Sequence, residues 1–174
     1  MVAKKHASKQ PADERSHLRI TRDGQPIPIL LVDDDPDCRL LIRDAIAQCK
    51  VSNDVHEVTN GQEALEFRHR CGIHANAPTP GLIFLDIEMP VMDGMTALKQ
   101  IKATAGLRQI PIVMMTGVCD EQQMKLAAAT GANSYTLKPA SAEQFFQMVL
   151  ASTNYWLNIH QYPEHHIPAA ECRR

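Results

Sequence analysis

Short runs of uninterrupted apolar residues punctuate the chain, namely Ile29 to Val32, Leu82 to Leu85, and Ile110 to Met115 entered through Pro111, while Ser134 to Leu137 is predicted as the last strand. Runs of this length bounded by turn residues predict strands buried on both faces. Val55 to Val58 instead alternates apolar and polar, as a strand nearer a sheet edge does. Between these strands the apolar period lengthens to that of a helix. One helix is predicted from Pro36 to Cys49, with Asp35 as N-cap and Leu40, Leu41, Ala45 and Ile46 facing inward. Others are predicted from Gln62 to about Arg70, from Thr96 to Thr104, and from Asp120 to a stop at Gly131. The last starts after Ser141 and runs toward His160.

Five strands alternating with five helices predict an α/β domain whose parallel sheet is covered on both faces. In such sheets ligands bind beyond the carboxyl ends of the strands. Asp33 and Asp34, Asp86, Thr116 and Lys138 all fall at those ends, on four different strands. Three carboxylates brought to one edge repel unless a cation joins them, and a hard divalent ion, Mg²⁺, is the natural one. Asp34 and Asp86 are expected as direct ligands, Asp33 as an outer contact through water, and the backbone carbonyl of Glu88 as a third protein oxygen. Lys138 and Thr116 offer an ammonium and a hydroxyl to phosphoryl oxygens, which leaves Asp86 as a nucleophile able to form an acyl phosphate.

Composition narrows the classes around this chemistry. The chain has 174 residues, 44% hydrophobic and 22% charged, so one globular domain with tails is expected. No apolar run approaches the ~20 residues that span a bilayer, and the first residues lack the apolar core of a secretory signal. Cysteines number five, an odd count without paired spacing, which fits reduced thiols; a cytoplasmic location is expected. His69, Cys71 and His74 fit no closed zinc pattern. Residues 1–25 carry six Lys/Arg against three Asp/Glu and little that fills a core, so they are read as a flexible basic leader. The domain proper is expected over 26–160, and a flexible tail over 161–174.

The segments Leu31-Val32-Asp33-Asp34-Asp35-Pro36, Leu85-Asp86-Ile87-Glu88-Met89-Pro90-Val91-Met92-Asp93-Gly94, Met115-Thr116-Gly117 and Leu137-Lys138-Pro139 resemble the receiver domain of two-component response regulators. The resemblance covers about Ile27 to Leu150. It implies a flavodoxin-like, doubly wound sheet with strand order 2-1-3-4-5. It also implies a phosphoryl group passed from a phosphohistidine of a sensor histidine kinase or phosphotransfer protein to Asp86 with Mg²⁺ bound. On phosphorylation Thr116 is expected to move toward the new group and Tyr135 to turn inward behind it, as the switch pair. Gly117, beside the phosphoryl group, stands where alanine is more usual, which bears on the lifetime of the phosphorylated form. The resemblance further implies a cis Lys138–Pro139 bond.

The 24 residues after Leu150 are too few for an output domain, so no nucleic-acid or membrane partner is expected and the signal should leave through a protein surface. That surface is placed on the last two helices and the strand between them. The last helix carries Phe145, Met148, Val149 and Trp156 on one stripe and Phe146, Leu150 and Leu157 on another. One stripe suffices to dock on the sheet, so the other predicts a downstream protein target or a homodimer. An extended last helix ending Tyr155-Trp156-Leu157 also resembles the stand-alone receivers that partner bacterial phytochromes. The competing enzyme reading is a Mg²⁺-dependent phosphohydrolase with an aspartate nucleophile. It wants an aspartate two residues after Asp86 as general acid, where this chain has Glu88, and it wants a cap domain. The reading adopted is therefore a phosphoacceptor rather than an enzyme.

Overall fold

The computed structural model describes residues 27–49, 53–70 and 72–159. The expected leader and tail, and Cys71, lie outside the described residues. The strands are β1 (Ile29–Val32), β2 (Val55–Val58), β3 (Leu82–Asp86), β4 (Ile112–Thr116) and β5 (Ser134–Leu137). The helices are α1 (Pro36–Gln48), α2 (Gly61–His69), α3 (Gly94–Ala103), α4 (Glu121–Thr130) and α5 (Ala142–Asn154). The sheet order is β2-β1-β3-β4-β5 with every neighbouring pair parallel, as expected.

The continuous apolar strands are explained by which face each residue serves. Leu30, Val32, Ile83, Leu85, Ile112 and Met114 pack with Ala64, Leu65, Ala97, Leu98 and Ala127 of α2, α3 and α4. Their strand neighbours Ile29, Leu31, Leu82, Phe84, Val113 and Met115 pack with α1 and α5 through Ile42, Ala45, Ile46, Phe145 and Val149. With two covered faces the strands are apolar except where they close at Asp86 and Thr116, and β1, β3 and β4 are buried throughout. The chain leaves β1 toward β2 on one side and returns to β3 on the other, so order reverses between β1 and β3, and a cleft opens beyond their carboxyl ends.

Each helix starts at that same edge with a side-chain cap. Asp35, Asn60, Asp93, Asp120 and Ser141 accept hydrogen bonds from the backbone N–H of Asp37, Glu63, Thr96, Gln122 and Gln144 respectively. Each cap stabilises its helix by about 1 kcal/mol and fixes where the loops around the cleft end.

The structure corrects four details. In α1 the inner stripe is Ile42, Ala45 and Ile46, whereas Leu40 is 47% exposed; Ile42 completes the i, i+3, i+4 face and Leu40 falls off it. Strand β4 starts at Ile112 rather than Ile110, because Asn133 Oδ1 and the Pro111 carbonyl tie the entrance into loop hydrogen bonds. No described peptide bond is cis, so Lys138–Pro139 is trans, the form favoured by about 0.5–1 kcal/mol for any X–Pro bond. Last, the final helix stops being α-helical at Asn154 and continues as a π turn, Tyr155–Ile159. The wider turn rotates Trp156 and Leu157 onto the β1 face, where they are 6% and 0% exposed. Burying two such side chains is worth about 3–6 kcal/mol, enough to offset the poorer hydrogen-bond geometry. The second apolar stripe is therefore largely consumed within the domain: Leu157 is core, Phe146 packs on it and Leu150 is half-buried.

Among the described residues no helix is long and apolar enough to cross a membrane.

Candidate functional site

Asp33 directly follows β1, Asp86 ends β3, and Asp34 follows Asp33 into the loop before α1. One carboxylate oxygen from each lies within 4.8 Å of the others, and this is the one such cluster among the described residues. Asp33 is fully buried, Asp86 is 4% exposed and Asp34 is exposed. Lys138, just past β5, reaches across the ends of β4 and β3, and its Nζ lies 2.7 Å from both Asp33 Oδ2 and Asp86 Oδ1. Its own backbone N–H donates to the Thr116 carbonyl at 2.7 Å, which extends the β4–β5 ladder and aims the side chain inward.

The charges do not balance. Three carboxylates face one ammonium, so a divalent cation fits the donor set. Asp33 has both oxygens taken, Oδ2 by Lys138 and Oδ1 by the Asp35 N–H at 3.0 Å, which leaves Asp34 and the second Asp86 oxygen as the open positions. Burial pushes the Asp86 carboxyl up to about 6, helped by the charges of Asp33 and Asp34 and opposed by Lys138. Burial alone would lower the Lys138 ammonium, but its bonds to Asp33 and Asp86 hold it above the ordinary lysine value.

A pH dependence follows for the cation-free protein. The folded Asp86 pKa of about 6 lies above its ordinary 3.8, so protonation favours the folded form; that contribution is complete below pH ~4 and gone above pH ~7. In EDTA the fold should lose about 1 kcal/mol of stability between pH 5 and pH 7 from this group alone. Thermal unfolding at the two pH values reads it, and Asp86→Asn should remove that increment.

Thr116 is fully buried at the end of β4, but its hydroxyl is engaged with the next loop. Oγ1 accepts from the Val118 N–H at 3.1 Å and donates to the Val118 carbonyl at 3.3 Å. Tyr135 on β5 is half-buried, donates its hydroxyl to Gln123 Oε1 on α4 at 3.3 Å, and feels the Thr116 hydroxyl nearby. A Cβ placed on Gly117 would meet only the Glu88 carboxylate, at 3.8 Å, so alanine would fit there. The Glu88 side chain is exposed and stands outside the carboxylate cluster.

Two features went unforeseen. The sequence leads one to expect Lys138 beside an incoming phosphoryl group, and the structure shows it bridging two acids; the pairing of distant strand ends carries no local signal. Gly94 had no assigned role, yet a Cβ there would lie 2.0 Å from the carbonyl oxygen of Asp86. The Asp93-Gly94 pair after a buried strand was the available hint, since Gly permits close backbone approach.

Residues 29–150 match the response regulator receiver domain family. The chain belongs to that family. The receiver is 29% identical over 132 residues to the response regulator Rcp1 of Synechocystis, spanning 76% of this chain and 90% of that protein. Among solved structures, the phosphorylated cyanobacterial phytochrome response regulator RcpA superposes with a TM-score of 0.76 at 33% identity, covering 79% of this chain and 98% of that one. The bacteriophytochrome response regulator AtBRR superposes with a TM-score of 0.62 at 32% identity, covering 78% and 94%. An Mn²⁺-bound form of Rcp1 is also known, with a TM-score of 0.76 at 28% identity and coverage of 79% and 99%. The receiver is thus a signalling domain of the two-component type, with an acidic cluster suited to a divalent metal.

Proposed function

We propose that Asp86 accepts a phosphoryl group from a phosphohistidine of a sensor histidine kinase or phosphotransfer protein, and that the modified receiver signals through altered protein–protein contacts. The observation that carries this reading is the 2.7 Å bridge from Lys138 to both Asp33 and Asp86 inside a carboxylate trio. A carboxylate oxygen of Asp86 attacks phosphorus, the phosphorus–nitrogen bond breaks, and the donor histidine leaves as imidazole. Asp34, Asp86 and the Glu88 carbonyl would hold Mg²⁺, with Asp33 in outer contact. When bound, the ion supplies positive charge to the phosphoryl oxygens. Lys138 neutralises a further oxygen, and Gly117 leaves the group approachable from the β4 side.

The product carries about −2 charge where a single carboxylate stood. Its oxygens draw the Thr116 hydroxyl away from Val118, and Tyr135 follows into the vacated space, releasing Gln123 on α4. That helix is lightly held: Ala127 is its one fully buried residue, while Met124 and Leu126 are 43% and 57% exposed. On the neighbouring β5 Leu137 is 46% exposed, so α4 and β5 together present an exposed apolar surface. A downstream protein, or a second copy of the receiver, would read this surface. The names of RcpA and AtBRR favour a phytochrome-type kinase as donor. A cytoplasmic location accompanies this reading.

The test is incubation with acetyl phosphate and Mg²⁺ followed by intact mass. One added phosphoryl group is expected, lost in Asp86→Asn and in EDTA. Sustained turnover of an added phosphomonoester would instead make the protein a hydrolase. Sizing of both forms tests the homodimer.

A further inference from the structure

Arg68 lies in the last turn of α2, at the edge of the sheet remote from Asp86, since α2 starts at Asn60 beside the strand ends and runs back. It is 2% exposed, and its Nε, Nη1 and Nη2 are all buried with no hydrogen-bond partner. A guanidinium carries five donors and keeps its charge, so burying one without an acceptor is strongly unfavourable. Arg70, the left-handed cap of the same helix at φ 55, aggravates it. Its Nε is also buried without a partner, and its charge opposes that of Arg68.

The acids of this layer are committed elsewhere. Glu57 on β2 pairs with Arg39 and Arg43, Glu63 accepts from Thr59, and Glu66 accepts from Gln62. The carboxyl end of α2 adds only the partial negative charge of the helix dipole. Two cationic groups thus sit together, and among the described residues no carboxylate is paired with either.

We propose that Arg68 and Arg70 form a binding site for a small oxyanion of the carboxylate, sulfate or phosphate class. A guanidinium fork takes two oxygens of one oxyanion side by side, and a second arginine doubles the attraction. Low surrounding polarity strengthens both contacts. No residue of this site belongs to the Asp86 pocket, so its occupancy is independent of phosphorylation chemistry.

Sulfate is the first probe. The unfolding midpoint of the full chain is measured against sulfate at constant ionic strength, for wild type, Arg68→Met and Arg70→Met. Wild type should rise along a saturable curve, as binding to the folded state alone requires. Arg68→Met should start higher without sulfate and show only the shallow linear rise that excluded salts give any fold. Arg70→Met should raise the half-saturation concentration about fivefold or more. The Arg68 Nε–H resonance of wild type should shift along the same curve, which keeps the test valid if a variant fails to fold. An acetate titration alongside identifies the class by the lower half-saturation concentration. Superimposable sulfate curves for wild type and Arg68→Met, or an Arg68 resonance that does not move, would overturn the proposal.

Discussion

Gly94→Ala should cost the receiver about 3 kcal/mol or more and lower its unfolding midpoint by roughly 10 °C. The added Cβ would stand 2.0 Å from the Asp86 carbonyl oxygen and 2.9 Å from both the Asp86 carbonyl carbon and Ile87 Cα. All three are backbone atoms of a buried strand end, so no side chain can swing aside. The Gly94 N–H donates to the Ile87 carbonyl at 2.9 Å, and Asp93 caps the Thr96 N–H at 2.7 Å, which pins α3 from both directions. Relief requires the start of α3 to lift off β3, breaking those bonds and parting Ala97 and Leu98 from the core. With a total stability of about 5–15 kcal/mol for a typical domain, such a loss leaves a measurable unfolded fraction on mild heating. Thermal unfolding measures it, with Gly117→Ala as the comparison because its Cβ meets nothing closer than 3.8 Å. A midpoint within 2 °C of wild type would show that the junction is looser than these distances require. Acetyl phosphate labelling should fall as well, since the strained carbonyl belongs to Asp86, the proposed phosphoacceptor.

What could be read from sequence follows a physical division. The three central strands were plain because burial on two faces leaves polar residues only at their ends, and helix starts were plain because Asp35, Asp120 and Ser141 are strong local caps. The composition of the site was legible for the same reason: single polar residues at the ends of apolar runs have few other places to go. Pairings across the cleft were not legible. Nothing near Lys138 in sequence announces that it holds Asp33, 105 positions away. Nor does the sequence announce that Thr116 spends its hydroxyl on Val118, a choice set by how the β4–α4 loop turns. At the last helix, periodicity described two stripes correctly but assumed regular 3.6-residue turns to the end; the π turn broke that assumption and buried Leu157. In α1 the error was two positions, Leu40 for Ile42, within a run of three adjacent apolar residues whose phase the pattern alone does not fix.

Lys138→Met should be the most damaging substitution at the site itself. Among the described residues Lys138 is the one cation paired with the side chains of Asp33 and Asp86, which are 0% and 4% exposed. Removing one partner of a buried pair costs about 3–5 kcal/mol, because the remaining charge is left without compensation. Here two carboxylates are orphaned beside the exposed Asp34, so without divalent cation the Asp86 pKa should climb above about 6. The sign is then fixed: protonation favours the folded form more strongly, and stability in EDTA should keep falling to a higher pH, up to the raised value. Mg²⁺ should restore a larger share of stability to the variant than to wild type, since it becomes the only answer to the three acids. Acetyl phosphate labelling should drop about 100-fold or more even with Mg²⁺ present, the usual effect of losing one preorganised donor to a developing oxyanion. Adding Asp86→Asn to Lys138→Met should recover part of the cation-free stability, because one of the orphaned charges is gone; the coupling in that double-mutant cycle measures the bridge directly. Equal stability and labelling in wild type and Lys138→Met would mean that the ammonium is a bystander, and the assignment of Asp86 as phosphoacceptor would lose its geometric support.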